Sequence, residues 1–98
     1  PGLIPSEFAL EQNYPNPFNP TTKIRYSVAR DSQVSLVIYN VLGQKVKTLA
    51  NRENMKSGRY VFEWDATNDQ GESIGAGVYI AHMVADGFSE SRKMILLK

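Results

Sequence analysis

The acidic segment DATNDQGE, residues 65–72, has the residue types best suited to binding a metal ion. Oxygen-bearing side chains occupy its first, third and fifth positions, as they do in a calcium loop. The calcium loop of helix–loop–helix proteins needs glycine at its sixth position and glutamate at its twelfth, where this sequence has Gln70 and Ala76. The pattern therefore predicts a loop built on Asx turns, with weak calcium binding as the alternative.

Catalytic chemistry has little support in this sequence. A hydrolytic triad needs a base beside a nucleophile and an orienting acid, but the single histidine, His82, lies in an apolar strand pattern without evident partners. The chain contains no cysteine, which excludes disulfides, thiolate catalysis and cysteine-based zinc sites. A pair of catalytic carboxylates like that of glycosidases remains an alternative, although the acidic residues lie mostly in sequences typical of turns. The sequence predicts a protein that is not an enzyme and that has no catalytic, cofactor or metal site.

The bulk composition fits one small globular domain. The chain has 98 residues, of which 42% are hydrophobic and 21% are charged. A net charge of +1 provides no strong field for nucleic acid or anionic lipid, and no apolar run approaches the ~20 residues of a membrane helix. We expect residues 1–7 to be the end of a linker and residues 8–98 to form the domain.

Period-two alternation of apolar residues predicts about seven short strands separated by turn signals. The runs TTKIRYSVA and GRYVFEW alternate, whereas VSLVIYNV and VYIAHMVA are apolar on both faces and should be central strands. The run KVKTL, with its lysines facing out, is typical of a sheet edge, and the polar residues 51–57 are expected to form a loop or one helical turn. The dipeptide Asp86-Gly87 predicts a hairpin before the last strand. The pattern as a whole predicts an all-β fold, an immunoglobulin-like antiparallel β-sandwich, with Ile24, Tyr26, Leu36, Ile38, Phe62, Trp64 and Ile80 in its core.

Residues 13–22, NYPNPFNPTT, combine three prolines with three asparagines and two aromatic residues. Proline fixes φ, removes a hydrogen-bond donor and steers the preceding residue toward extended geometry. We therefore expect a stiff segment, the proline ribbon, that is neither helix nor central strand. If the strands on either side belong to opposite sheets, the ribbon must cross the open end of the sandwich. The asparagine amides would then bond backbone groups, and Tyr14 and Phe18 would cover the core as plugs.

The closing run KMILLK is short and apolar between basic ends. On a sheet edge its N–H and C=O groups would be unpaired. This predicts β-augmentation by a partner, or self-association with a second copy, through the last strand.

Several blocks of the sequence resemble the C-terminal sorting domain of the type IX secretion system, type A. In chain order they are FALEQNYPNPFNPTTKIRYSV, VSLVIYNVLGQKVKTL, GRYVFEWDATNDQGESIGAGVYIAHMVA and KMILLK. The resemblance extends from Phe8 to Lys98, and QNYPNPFNPTT is its most specific part. The portion WDATNDQGESIGAGVY also resembles the immunoglobulin-like domain of flagellar hook-capping proteins.

The resemblance implies a non-catalytic sorting signal that directs a passenger protein from the periplasm across the outer membrane of Bacteroidetes-like bacteria. It implies an outer-membrane translocon and a surface sortase-like peptidase as partners, beside an N-terminal passenger in the parent chain. In many family members the peptidase removes the domain, and the cargo is attached to surface lipopolysaccharide. The expected location is therefore secreted or at the cell surface.

Two segments are the candidate recognition elements, the proline ribbon and the last strand, which in the family lies in the part most needed for export. Their residues are Tyr14, Pro15, Asn16, Pro17, Phe18, Asn19, Pro20, Lys93, Met94, Ile95, Leu96, Leu97 and Lys98. The alternative is an immunoglobulin-like spacer, an assembly module or a carbohydrate-binding module of a larger extracellular protein. The aromatic residues could form a stacking platform in that case, but packing within the sandwich is the favoured interpretation.

Overall fold

The computed structural model of this chain describes residues 4–97, and all its regular structure is β. Its seven strands form two antiparallel sheets, which confirms the predicted fold class. No residue between 4 and 97 is helical, so the described chain has no helix that could span a membrane. The strands are β1 (Ala9–Leu10), β2 (Thr22–Val28), β3 (Ser32–Asn40), β4 (Lys45–Met55), β5 (Gly58–Trp64), β6 (Gly77–Ala85) and β7 (Phe88–Leu96).

The strand order is β1-β2-β5 in one sheet and β4-β3-β6-β7 in the other. The two runs that are apolar on both faces became β3 and β6, and both are central as predicted. The lysine-bearing strand β4 is at an edge, also as predicted. The β6–β7 connection is the expected tight hairpin, in which Asp86 and Gly87 both have positive φ values, of 43° and 84°.

The core lies between the two sheets and confirms most of the predicted members. Phe62 is half-buried against the core. Five other predicted members are buried: Ile24, Tyr26, Leu36, Ile38 and Trp64. Ile80 is a wrong prediction, because β6 buries its other face.

Register explains why Ile80 lies outside the core. Residues directly opposite each other in an antiparallel pair lie on the same face of the sheet. Leu36 and Ile38 of β3 are buried, and their partners in β6 are Met83 and Ala81. Ile80 is opposite Tyr39 instead and shares its half-buried outer face. Since β6 is apolar on both faces, its composition did not show which face is buried in the core.

The expected loop or helical turn at residues 51–57 is also wrong, because β4 continues to Met55. The pairing with β3 shifts register near Arg52, which has a positive φ of 49° and donates its backbone N–H to the Ser35 hydroxyl at 3.2 Å. An extra residue of this kind is a β-bulge, which bends and terminates pairing near sheet edges. The polar composition of the segment reflects an edge strand exposed to solvent.

Candidate recognition surface

The proline ribbon joins β1 to β2, which are neighbours in the same sheet. The premise that its flanking strands belong to opposite sheets was therefore wrong. The ribbon nevertheless touches both sheets. It forms an antiparallel bridge from Tyr14 to Lys23 of β2 and a parallel bridge from Phe18 to Leu96 of β7. It thus closes the gap between the edge of one sheet and the edge of the other.

The ribbon pairs with the outer edge of β7. The Phe18 N–H donates to the Ile95 carbonyl at 2.9 Å, and the Leu97 N–H donates to the Phe18 carbonyl at 2.8 Å. The Ile95 N–H donates to the side-chain oxygen of Asn16 at 2.9 Å. The prediction that the last strand has an unpaired edge is therefore wrong at Ile95 and Leu97, because the ribbon supplies the missing partners.

Phe18 is the plug that the sequence predicted. Its side chain is only 1% exposed, and its ring centroid lies 5.6 Å from that of Trp64. The Trp64 and Tyr79 rings pack in a T-shaped arrangement, with their centroids 6.0 Å apart. The Tyr79 hydroxyl donates to the Gly75 carbonyl at 2.7 Å, and burial raises the pKa of this phenol above its ordinary value. These aromatic residues are engaged in packing and do not form an exposed platform.

Tyr14 is not a plug, because its side chain is 73% exposed. The backbone of Tyr14 holds the ribbon instead, since its N–H and C=O bond to Lys23 at 3.0 and 2.9 Å. The peptide bonds that precede Pro15, Pro17 and Pro20 are cis.

Asn13 confirms the prediction that asparagine amides bond the ribbon backbone. This residue is buried, and its amide donates to the Pro15 carbonyl at 3.1 Å and to the Thr22 hydroxyl at 3.0 Å. The Thr22 hydroxyl also donates to the Pro15 carbonyl, at 2.8 Å. The two ends of the ribbon are thereby tied together. Asn16 uses its oxygen as an acceptor for β7, and Asn19 is exposed.

Two further contacts with β7 were not predicted from the sequence. The Gln12 amide donates to the Lys93 carbonyl at 2.7 Å, and the Arg92 guanidinium donates to the Leu10 carbonyl at 2.8 Å. The partners in these pairs are 81 and 82 residues apart in the chain. No spacing rule links positions so distant, so only the fold could reveal them.

The fold brings the two predicted recognition segments together, but it divides their residues into a buried and an exposed set. Phe18, Met94 and Leu96 are buried, and Ile95 is half-buried. Lys98 lies outside the described residues. The exposed set, which we call the ribbon–strand surface, consists of Tyr14, Pro15, Asn16, Pro17, Asn19, Pro20, Lys93 and Leu97.

A shallow depression of about 340 Å³ borders this surface beside Tyr14. Its lining includes Pro15, the cationic side chains Lys23 and Arg25, and the carboxylate side chain of Glu63. An exposed aromatic ring beside side chains of both charges can bind a polar protein segment.

The acidic segment is an Asx-turn loop, as predicted. The Asn68 side-chain oxygen accepts the N–H groups of Gln70 and Glu72 at 3.0 and 2.9 Å. The Asp69 carboxylate accepts the Thr48 N–H at 2.9 Å. Within residues 4–97, no three acidic or histidine side chains are grouped so as to hold a metal ion. His82 lies on the β6–β7 pair, with its Nε2 atom 2.9 Å from the Ser89 hydroxyl.

Comparison with known proteins places the chain among immunoglobulin-like domains. A family model described as the FlgD Ig-like domain matches residues 18–87. No curated protein sequence matches the chain. Two solved structures from Porphyromonas gingivalis are similar to it: dimeric latent PorU, with 25% identity and a TM-score of 0.68, and PorZ, with 17% identity and a TM-score of 0.63.

The chain corresponds to a small part of each of these proteins. The alignment covers 92% of this chain and 9% of PorU, and 91% of this chain and 11% of PorZ. PorZ is described as an essential bacterial surface component of the type IX secretion system. The similarity to PorZ is a similarity of fold.

Proposed function

This chain belongs to the FlgD Ig-like domain family, and we propose that it is a non-catalytic sorting domain that directs a passenger protein across the outer membrane through the type IX secretion system. On this proposal the passenger precedes the domain in the parent chain, and the domain is presented to an outer-membrane translocon and then to a surface sortase-like peptidase. The protein is accordingly exported through the periplasm to the cell surface or the medium of a Bacteroidetes-like bacterium. The peptidase removes the domain and replaces it with a surface anchor.

The observation that carries this proposal is the pairing of the proline ribbon with the last strand. The most specific block of the family resemblance and the segment most needed for export in that family lie side by side, joined through Phe18, Ile95 and Leu97. The fold similarity to PorZ, which is described as a surface component of the type IX secretion system, is consistent with a role in that system.

The buried and exposed halves of this assembly have different tasks. Phe18, Met94 and Leu96 fix the geometry, because each is buried in the common core. The exposed Tyr14 and Leu97 are available to a receptor without unfolding the domain. A preorganised surface of this kind loses little conformational entropy on binding, which favours recognition.

A second candidate function is that of a structural or assembly module. The family match and the two solved structures support it, because in PorU and PorZ the corresponding domain is about a tenth of a longer chain. The carbohydrate-binding variant has less support, since Phe18, Trp64 and Tyr79 are engaged with one another in packing.

An export assay on surface variants separates these candidates. A reporter with a periplasmic signal peptide is fused ahead of the chain and expressed in a bacterium with a working type IX system. The variant combines Tyr14→Ser with Leu97→Ser, which removes two side chains that are 73% and 52% exposed. Loss of an exposed aromatic anchor at an interface is worth about a tenfold loss of affinity, so we expect roughly tenfold less reporter on intact cells.

The matched control is Val84→Ser, which removes an apolar side chain that is 44% exposed on central strand β6. The control should be exported normally, and all proteins should melt at the same temperature. Normal export of the double variant would contradict the proposal. Equal export of the parent fusion in a strain without the translocon would contradict it as well and would favour the module function.

Deletion of residues 94–98 should also stop export, but this change is less informative. It removes Met94 and Leu96, which are 0% and 1% exposed. Unfolding of the domain would therefore accompany the loss of the signal, which is why the exposed substitutions are the sharper test.

A further inference from the structure

The two hairpins of the four-stranded sheet have turns of different character. The β6–β7 hairpin turns on Asp86 and Gly87, which are residue types that turns favour. The β3–β4 hairpin turns on Val41 and Leu42, whose side chains are 68% and 79% exposed. A single exposed aliphatic side chain is common on protein surfaces, but two adjacent ones at the tip of a turn form an apolar patch.

The β3–β4 turn is held without help from these two side chains. The Asn40 side-chain oxygen accepts the N–H groups of Leu42 and Gln44 at 2.9 and 3.0 Å. The Gly43 N–H donates to the Asn40 carbonyl at 3.0 Å, and its φ of 80° suits glycine. Because Asn40 and Gly43 fix the backbone, polar residues at positions 41 and 42 would fold equally well. The aliphatic pair is therefore best explained by binding, and its backbone is already ordered for it.

The apolar patch continues onto the outer face of the sheet. Tyr39 is opposite Ile80, and Val78 is opposite Ile95. All four side chains are half-buried. Directly opposite residues share one face and contact each other, so the four form one apolar area at the end of the sheet that has the turn. Outward positions of a sandwich are usually polar, which makes this area a second indication of a partner.

Two lysines border the apolar area. Lys45 is opposite Tyr39, Tyr39 is opposite Ile80, and Ile80 is opposite Lys93, so the four residues form a row across the sheet. Three strand spacings of about 4.8 Å separate the two lysine positions by about 14 Å. Within residues 4–97, neither lysine forms an ion pair. Cations this far apart do not share one carboxylate or phosphate, and they fit a broad acidic surface.

The acidic loop lies at the same end of the sandwich, but its carboxylates have partners inside the domain. Asp69 accepts the Thr48 N–H at 2.9 Å, and Glu72 accepts the Asn68 amide at 3.0 Å. These bonds leave the lysines of the outer face available to another molecule.

The charges favour a protein partner over two other occupants. A second copy of the domain would bring its own lysines to the lysines of this face, with no carboxylate in the row to match them. An anionic lipid surface attracts clusters of about four to eight basic side chains and would repel the acidic loop. A protein with an apolar groove between carboxylates complements both features.

The turn lies at the end of the sandwich opposite to the entry of β1. Ala9 pairs with Ser27 near the end of β2, where the chain passes into β3. Strand β3 then runs the length of its sheet to Asn40 and the turn. On the proposed function, on which this inference rests, the passenger is joined at the β1 end. The turn is therefore directed away from the passenger and is open to a receptor.

We propose that the β3–β4 turn is a second anchor for the export receptor, beside the ribbon–strand surface. Val41 and Leu42 enter an apolar groove of the receptor, and carboxylates at the borders of the groove face Lys45 and Lys93. Since Lys93 also belongs to the ribbon–strand surface, the two areas are continuous across β7.

The export assay described above tests this anchor with a turn variant that combines Val41→Ser and Leu42→Ser. We expect roughly tenfold less reporter on intact cells, the effect of losing an apolar anchor at an interface. Leu42→Met keeps an apolar side chain of similar volume and should preserve export. Lys45→Gln should lower export by about two- to fivefold, as for an exposed ion pair.

Two matched controls lie away from the turn. Val84→Ser removes an exposed aliphatic side chain from the same outer face, six residues or about 20 Å along β6 from Val78. Lys56→Gln removes a lysine whose side chain is 88% exposed, at the β1 end of the sandwich. Both should be exported normally. The turn variant should melt at the same temperature as the parent, because its changed side chains are mostly exposed.

Competition separates receptor binding from later steps of export. The domain without a passenger, co-expressed with the reporter fusion, should reduce export of the reporter by occupying the receptor. The turn variant of this competitor should be about tenfold less effective. Purified parent and turn variant are also sedimented alone and with vesicles of phosphatidylethanolamine and phosphatidylglycerol.

Loss of export and of competition in the turn variant, with an unchanged melting temperature and normal export of Leu42→Met, supports the inference. Normal export of the turn variant, while Tyr14→Ser with Leu97→Ser is impaired, would overturn this inference alone. Equal export of the parent without the translocon would overturn it together with the proposed function. A lower melting temperature of the turn variant would show that the two side chains stabilise the fold instead. Vesicle binding or dimer formation that requires Val41 and Leu42 would overturn it in favour of a lipid surface or a second copy.

Discussion

The proline ribbon and the loop at residues 65–76 lie against opposite edges of the four-stranded sheet, but different forces hold them. The ribbon inserts Phe18 into the core and pairs its backbone with β7. The loop buries only Ala66 fully, and half-buried Ile74 packs beside it. Most of its remaining contacts are exposed hydrogen bonds that centre on Asn68 and Asp69.

The difference shows two ways to protect a sheet edge. Burial of a large aromatic side chain contributes several kcal/mol, whereas an exposed hydrogen bond contributes about 1 kcal/mol because water competes for both partners. The ribbon is therefore part of the cooperative core, and the loop is an attachment to it. Trp64 connects the two, since its ring packs on Phe18 and its indole N–H donates to the Thr67 carbonyl at 2.9 Å.

The largest effect is expected from Trp64→Ala, which removes the residue that both regions share. A buried aromatic truncated to alanine costs about 3–5 kcal/mol of unfolding free energy, and the loss here should be near the upper end. Denaturant titration measures it. Because a small domain has about 5–15 kcal/mol in total, the variant should be close to unfolding at physiological temperature.

Trp64→Phe is the matched control, because it keeps an aromatic ring in the core while it removes the bond to Thr67 and only part of the buried ring volume. It should retain most of the stability. An unchanged melting temperature for Trp64→Ala would mean that the core does not extend between the ribbon and the loop.

The next effect is expected from Phe18→Ala, at about 3 kcal/mol. Phe18 lies where the ribbon can partly relax into the space left by its ring, so the cost should be smaller than for Trp64. Hydrogen exchange on Ile95 and Leu97 should accelerate in parallel, since their amides are held by the ribbon. Normal melting combined with lost export would instead make Phe18 a recognition residue and contradict its role as a plug.

We expect the smallest losses of stability from an asparagine-to-alanine substitution made once in the ribbon and once in the loop. The pair compares a buried asparagine with a more exposed one. Asn13→Ala removes a buried amide that holds Pro15 and Thr22, and should cost about 1–3 kcal/mol. Asn68→Ala removes a more exposed Asx turn and should cost about 1 kcal/mol or less. Thermal melts of the two variants, compared with the parent, give the ranking. Equal losses would mean that the loop is as cooperative with the core as the ribbon is.

Local pattern alone determined much of this protein. Alternation in β2 and β5 gave the strands and their apolar faces, because successive side chains on a strand point to opposite sides. The dipeptide Asp86-Gly87 predicted its hairpin, since both positions need a positive φ. The prolines predicted a stiff, extended ribbon, and the two aromatic rings within it, Tyr14 and Phe18, were both predicted to be plugs, which is correct for Phe18 only.

Only the tertiary structure decided which of two equally apolar or aromatic side chains is buried. The apolar residues of β6 did not reveal that Ile80 faces outward, because that choice is made by register with β3. The aromatic character of Tyr14 and Phe18 was equal in the sequence, yet only Phe18 is buried.

The candidate recognition surface divides in the same way. Its two segments were predicted from the sequence, but their adjacency was not, since Phe18 and Leu96 belong to opposite ends of the chain. The coverage of the end of β7 likewise depends on where the proline ribbon lies. The period of a strand is a local property of its backbone, whereas the face that is buried and the edge that is covered depend on which other segments pack against it.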